Sequence, residues 1–246
     1  MDKIKEGDYI TLVATDKRYL IHIIRGRMYN TKNGSISAED IINKIPGEIV
    51  NNIGIFKPTI EDIIMYGIKR KTQIIYPKEA SLIQIKLNLQ NGMKVFECGT
   101  GSGAMSIFFI NAISPDGILY TYDREISFQE NAKENLKRFG FYKNVKFISK
   151  DINEGIEEKD FDAAFLDVKE PWKYIELMKN VLKPSSNLGI IVPTTNQVSR
   201  TLKELKKYFI DIEVIEILTR KYKINPDRLR PEDIMVGHTG YLIFAR

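Results

Sequence analysis

Val95-Phe96-Glu97-Cys98-Gly99-Thr100-Gly101-Ser102-Gly103 is the stretch that decides how this 246-residue chain is read. An apolar run suited to a buried strand ends in an acid and then in glycines at alternate positions. Glycine lets the backbone turn sharply and approach a ligand more closely than any side-chain carbon permits. Dinucleotide folds ask for G-x-G-x-x-G, with a pyrophosphate seated on the following helix N-terminus. Here the spacing is G-x-G-x-G, and Glu97 stands ahead of it. A carboxylate there repels a pyrophosphate but pairs with the ammonium of an amino-acid moiety. The loop therefore points to S-adenosylmethionine (SAM) rather than NAD. The bland alternative is a strand-to-helix turn that binds nothing.

Working outward, Tyr122-Asp123 closes the next apolar run twenty residues after Gly103. A carboxylate at that strand end accepts hydrogen bonds from both ribose hydroxyls, although an aspartate there also suits a helix cap. Lys150-Asp151-Ile152 closes the third run. Asp151 is placed to accept from an adenine amino group while Ile152 packs on the ring, the other reading being a solvated turn. Strand ends converging on one crevice are what ligands of open α/β sheets require.

The fourth strand end is Phe165-Leu166-Asp167-Val168-Lys169-Glu170-Pro171-Trp172. Enzymes of such folds that methylate exocyclic amino groups carry Asn/Asp-Pro-Pro-aromatic at this point, whereas this chain has Asp-x-x-x-Pro-Trp. A carboxylate at Asp167 can accept from an N–H next to the attacking atom, orient a heteroaromatic base and raise electron density on its ring nitrogen. Adenine N1 has a free lone pair at neutral pH, so no strong base is needed, and its methylated product is a cation that a carboxylate stabilises. Asp167 also suits the N-cap of the next helix. Trp172 reads as core packing or, less simply, as a stacking platform.

The remaining pattern places these motifs. From Tyr76 on, strands are expected at 93–98, 118–122, 145–149, 161–166, 188–192, 212–218 and 241–245, and helices at 102–112, 125–139, 171–182 and 197–209. Gly140 suits the residue after the second helix, and Pro171 the first turn of the third. Alternating strands and helices argue for α/β, a doubly wound parallel sheet closed by an antiparallel hairpin. Residues 1–70 read instead as a small β-barrel or sandwich. Its strands are 8–14 and 19–24 around a turn at Thr15-Asp16-Lys17-Arg18, with a hairpin turn at Asn33-Gly34 and another strand from Gly47. Such a module handles RNA or serves as a packing platform.

A net charge of +5 and a pI near 9.0 lean towards an acidic partner without demanding one. One cysteine, Cys98, excludes an intrachain disulfide framework and fits a reducing compartment. No apolar run approaches the roughly 20 residues of a bilayer span, and no signal-type apolar segment opens the chain. A cytoplasmic, soluble protein needing no metal is expected.

Four segments carry a family resemblance: Tyr76-Pro77-Lys78-Glu79-Ala80, Phe96 to Gly103, Leu166 to Trp172, and Arg230-Pro231-Glu232-Asp233-Ile234-Met235-Val236-Gly237-His238-Thr239-Gly240. From Ile75 to Arg246 the chain resembles the tRNA (adenine-58-N1)-methyltransferases of archaeal and bacterial single-subunit form. The resemblance implies a Rossmann-like class I SAM-dependent methyltransferase fold with a small N-terminal β-domain. It also implies a homotetramer that methylates N1 of an adenine in the tRNA T-loop. Glu97, the loop Gly99, Thr100, Gly101, Ser102, Gly103 and Ala104, together with Asp123, Asp151 and Asp167, would line the SAM site. Asp167 would contact the target base with Tyr76 beside it. The family often has glutamate where Asp123 stands and alanine where Cys98 stands. Relatives with histidine rather than tyrosine at position 76 also act on adenine 57, so Tyr76 leans towards position 58 alone.

Such a target must flip out of its stack, since its N1 edge is otherwise inaccessible. Lys69, Arg70, Lys71, Arg220, Lys221, Lys223, Arg228 and Arg230 are candidate phosphate contacts. His238 reads as a pocket residue or as a hydrogen-bonded structural one. Two other readings stay open: a SAM enzyme acting on a precorrin-like small molecule or a protein side chain, and a catalytically silent tRNA-binding subunit.

Overall fold

A computed structural model describes residues 2–246, which divide into two compact units, Met1–Lys69 and Arg70–Arg246. In the first, strands β1 (Tyr9–Ala14), β2 (Lys17–His22), β3 (Met28–Thr31), β4 (Gly34–Ser37), β5 (Ile49–Val50) and β6 (Ile53–Phe56) are joined by short turns and the helical turn α1 (Ala38–Ile41). Helix α2 (Ile60–Asp62) runs on into a π-helical turn at Ile63–Gly67. The sheet is antiparallel in the order β2-β1-β6-β5, so it has two edges and is open rather than a barrel. The β3–β4 hairpin adds Tyr29 and Ile36 to a core with Ile10, Leu12, Ile53 and Ile55. The first turn is only Thr15-Asp16, because Lys17 and Arg18 already pair with Ala14 and Val13 in β2. Both are exposed on an edge strand, where a polar run looks like a turn.

The second unit runs α3 (Pro77–Lys86), β7 (Lys94–Cys98), α4 (Ala104–Ile113), β8 (Ile118–Asp123), α5 (Ile126–Arg138), β9 (Val145–Ser149), β10 (Phe161–Leu166), α6 (Ile175–Val181), β11 (Leu182–Val192), α7 (Thr195–Leu205), β12 (Glu213–Ile215), β13 (Tyr222–Lys223), β14 (Arg230–Pro231) and β15 (Tyr241–Ala245). The main sheet has the order β12-β15-β11-β10-β7-β8-β9. Strand β15 alone is reversed and inserts between β11 and β12. The 25 residues between them form an arm that includes the β13–β14 ladder, so the closing hairpin is wider than the sequence suggests.

Core strands here are buried on both faces, which is why they read as continuous apolar runs. Phe96, Tyr122, Phe161 and Leu166 pack on one side, and Val95, Leu119, Phe165 and Leu242 on the other. Pro171 opens a 3-10 turn to Tyr174 rather than a continuous helix, and Leu182 already belongs to β11. Gly140 takes φ +80° after the C-cap Phe139, as a residue ending α5 should. From β7 the chain proceeds to β8 and β9 on one side, and to β10 and β11 on the other. The order thus reverses between β7 and β10, where ligands of such sheets bind.

Candidate active site

Two cavities meet at that reversal point. The larger, about 440 Å³, is lined by the Gly99–Ser102 loop, Asp123, Asp151, Ile152 and Asp167. The smaller, about 200 Å³, is lined by Tyr76, Glu79, Ile191, Pro193, Thr239 and again Asp167. Gln73, Ile74, Ile75 and Asp167 border both, and among them only Asp167 carries an ionisable side chain.

The glycine loop is shaped first by its own protein neighbours. Gly99, Gly101 and Gly103 have φ of +101°, +51° and +81°. A side-chain carbon would lie 2.2 Å from the Asp167 carbonyl oxygen at Gly99, 2.8 Å from Thr72 Oγ1 at Gly101, and 2.8 Å from Leu136 Cδ1 at Gly103. The glycines therefore pack the loop against β10, residue 72 and α5 before any ligand arrives. Ser102 Oγ accepts from the backbone N–H groups of Lys71 at 2.9 Å and Thr72 at 3.1 Å. Thr100 Oγ1 meets Thr121 Oγ1 at 2.7 Å and accepts from Gln129 Nε2 at 3.0 Å. Ala104, the first residue of α4, also borders the larger cavity. Nothing in the sequence pattern singles out Thr72 or Gln129, because their role depends on contacts between distant segments.

The acids divide by environment. Glu97 lies beneath the loop, fully buried and outside the cavity lining; Ser106 Oγ donates to its Oε2 at 2.6 Å and its Oε1 has no partner. Burial pushes its carboxyl up to about 8, partly offset by the Ser106 hydroxyl. Asp123 accepts from Gly101 N–H on Oδ2 and from Glu125 N–H on Oδ1, both at 3.0 Å. Asp151 caps the 3-10 turn Ile152–Glu154 by accepting from Asn153 N–H at 2.9 Å, and Ile152 is buried behind it. Cys98 is buried, which pushes its thiol up.

Asp167 is not a helix cap: Glu170 precedes the next helical turn, and no side-chain cap bond forms there. Its backbone N–H donates to Cys98 O at 2.8 Å, and its carboxylate has no hydrogen-bond partner among the described residues. The residue is exposed, on the side where it borders the two cavities. Desolvation in the crevice, reinforced by the charge of Asp123, pushes its carboxyl up to about 6. Tyr76 is the N-cap residue of α3, and its hydroxyl accepts from Gln73 Nε2 at 3.1 Å.

Other candidates fall outside the cavities. His238 Nδ1 meets Glu216 Oε1 at 2.6 Å and Nε2 meets Pro193 O at 2.8 Å, which makes it the structural alternative. The Glu216 carboxylate and the Pro193 carbonyl can each accept from the ring, and the Glu216 bond raises its pKa. Trp172 is half-buried under the Arg200 guanidinium at 5.4 Å, neither core nor open platform. Arg220, Lys221, Arg228 and Arg230 are exposed on the arm, where Lys223 pairs with Asp233.

The sheet order and the cavities at its reversal define the class, a Rossmann-like class I SAM-dependent methyltransferase fold. More narrowly, residues 53–235 match the family described as tRNA methyltransferase complex GCD14 subunit, and the chain belongs to that family. The tRNA (m1A58) methyltransferase TrmI from Aquifex aeolicus is 38% identical with a TM-score of 0.94, over 100% of this chain and 98% of that one. A SAM-dependent O-methyltransferase from Thermotoga maritima is 40% identical with a TM-score of 0.93, over 99% and 94%. The tRNA (adenine(57)-N(1)/adenine(58)-N(1))-methyltransferase TrmI of Methanocaldococcus jannaschii is 31% identical over 94% of this chain and 91% of the relative.

Proposed function

We propose that the chain transfers a methyl group from SAM to N1 of adenine 58 in the tRNA T-loop, with the 71–246 portion as the catalytic domain. The observation that carries this reading is Asp167, the one ionisable residue shared by two adjoining cavities. The larger takes the methyl donor and the smaller the target base.

The residues fit the donor. Glu97 keeps a buried oxygen without a partner, which the ammonium of the methionine moiety would satisfy by reaching under the loop. Asp123 retains free lone pairs on both oxygens for the ribose hydroxyls. Asp151 serves the adenine amino group and Ile152 the ring, while Gly99 to Ala104 form the wall. Bound there, SAM supplies an electrophilic methyl group. Asp167 accepts from the target's N6 amino group, holds N1 towards the donor cavity and stabilises the positive charge that grows on the base. Tyr76 walls the same cavity. No proton need leave N1 before attack.

The arm supplies phosphate contacts through Arg220, Lys221, Arg228 and Arg230. Its Leu218, Ile224, Leu229, Ile234 and Val236 are exposed, an apolar surface that other copies of the chain would cover in a homotetramer. Light scattering on the purified protein tests that assembly. No helix among the described residues is long and apolar enough to cross a membrane; a cytoplasmic protein meeting tRNA suits the reading. The Thermotoga neighbour raises O-methylation as a second activity. Mass spectrometry of nucleosides from tRNA incubated with enzyme and SAM separates the two: 1-methyladenosine from position 58 is expected, and a 2′-O-methyl product or none would refute the proposal.

A further inference from the structure

Glu79 has an unequal pair of oxygens. Lys78 Nζ and Thr239 Oγ1 both donate to Oε1. Lys78 also reaches Ile217 O at 2.6 Å and Thr239 Oγ1 at 2.7 Å, so this network ties α3 to the two ends of the arm. That structural task occupies Oε1 alone. Oε2 has no partner, in a residue 1% exposed that lines the smaller cavity together with Asp167 and Tyr76. A buried carboxylate oxygen left without a donor is costly, and a donor brought into the cavity relieves the cost.

We propose that Glu79, through Oε2, is a second acceptor for the amino group of the target base and helps fix adenine as the substrate. The inference rests on the tRNA-adenine reading above. An exocyclic amino group offers two N–H bonds, one for Asp167 and one for Glu79. Guanine and hypoxanthine present a carbonyl oxygen in that place, which would face two acceptors without a proton between them. Neither carboxylate gains or loses a proton in this recognition. Glu79 selects the base, and Asp167 remains the group beside the reacting atom.

The test compares tRNA carrying adenine at position 58 with tRNA carrying purine riboside there, which keeps N1 but lacks the amino group. Binding without SAM and kcat/KM with SAM are both measured. Purine riboside forfeits the bonds to both Asp167 and Glu79, so the wild type should favour adenine by about a hundredfold or more, roughly tenfold for each hydrogen bond to a charged acceptor. Glu79→Gln should lose the roughly tenfold share that belongs to Glu79 in both assays and keep the share that belongs to Asp167. Its amide oxygen turns towards Lys78 and Thr239, which leaves an NH₂ facing the cavity. Lys78→Met disturbs the same network without touching Oε2 and should keep the preference. Should Glu79→Gln fail to fold, Glu79→Asp retains the charge for Lys78 but withdraws the second oxygen, and should lose the same share of the preference. An adenine preference unchanged in folded Glu79→Gln or Glu79→Asp overturns the inference, as does a wild type indifferent to the amino group or a Lys78→Met variant that loses the preference equally. A wild type that methylates neither tRNA fails the underlying reading instead.

Discussion

A side-chain carbon on Gly99 would stand 2.2 Å from the carbonyl oxygen of Asp167, so the glycine loop and the fourth strand end are in direct contact. The first loop thereby sets where Asp167 sits. Gly99→Ala should push β10 back, with an overpacking cost of about 1–3 kcal/mol. It should also displace Asp167, so the rate of methyl transfer falls in protein that still melts cooperatively. Thermal melts and single-turnover rates check this. Full activity in Gly99→Ala would mean that the contact does not position Asp167.

Asp123 holds the N–H groups of Gly101 and Glu125, so as the proposed ribose ligand it would couple ligand and loop. Asp123→Ala should weaken SAM binding by about 1.5–3 kcal/mol, the range for hydrogen bonds to a charged group. Loss of the bonds from the Gly101 and Glu125 N–H groups should lower stability by about 1–3 kcal/mol as well. Calorimetry and melting measure the two separately. An effect confined to tRNA affinity would remove Asp123 from the donor site.

In the proposed donor site, Glu97 would make SAM binding proton-linked. Its folded-state value, about 8, lies above the ordinary 4.5, so the folded protein holds this proton more tightly than the unfolded chain. Stability without ligand therefore falls as pH rises from about 4.5 towards 8. An ammonium beside the carboxyl draws the value down again, so binding at pH 7 should release a proton. Affinity should climb with pH until about 8, and Glu97→Gln should flatten that climb. Calorimetry in two buffers of different protonation enthalpy reads the proton directly. Identical heats in both buffers would show that no cation reaches Glu97.

The sheet was legible because its strands are apolar on both faces and end at distinct loops. Phe161–Leu166 and Tyr241–Ala245 carry no competing periodicity. The convergence of Asp123, Asp151 and Asp167 followed from the same strand ends. Less legible were features set by contacts between distant segments. The pairing of β2 from Lys17 looks like a turn until β1 lies beside it. The glycines read as space for a ligand, whereas Thr72 and Leu136 occupy the space beside Gly101 and Gly103. Glu97 looked like a cleft residue, yet its strand position directs it beneath the loop towards Ser106. Glu79 and Thr239 are 160 residues apart, a pairing that no local pattern announces.

The central claim is that Asp167 serves the chemistry more than the binding. Its carboxyl, pushed up to about 6 in the ligand-free protein, should make kcat/KM rise with pH through that value and level off above it. The decisive measurement is single-turnover methyl transfer to adenine 58 by Asp167→Asn, alongside its affinities for tRNA and SAM. The variant keeps the shape and an oxygen acceptor but loses the charge. A rate lower by about 10²–10³ is predicted, with the step near pH 6 in kcat/KM gone and both affinities nearly unchanged. Near-full activity in Asp167→Asn, or affinities that fall in proportion to the rate, would contradict the account.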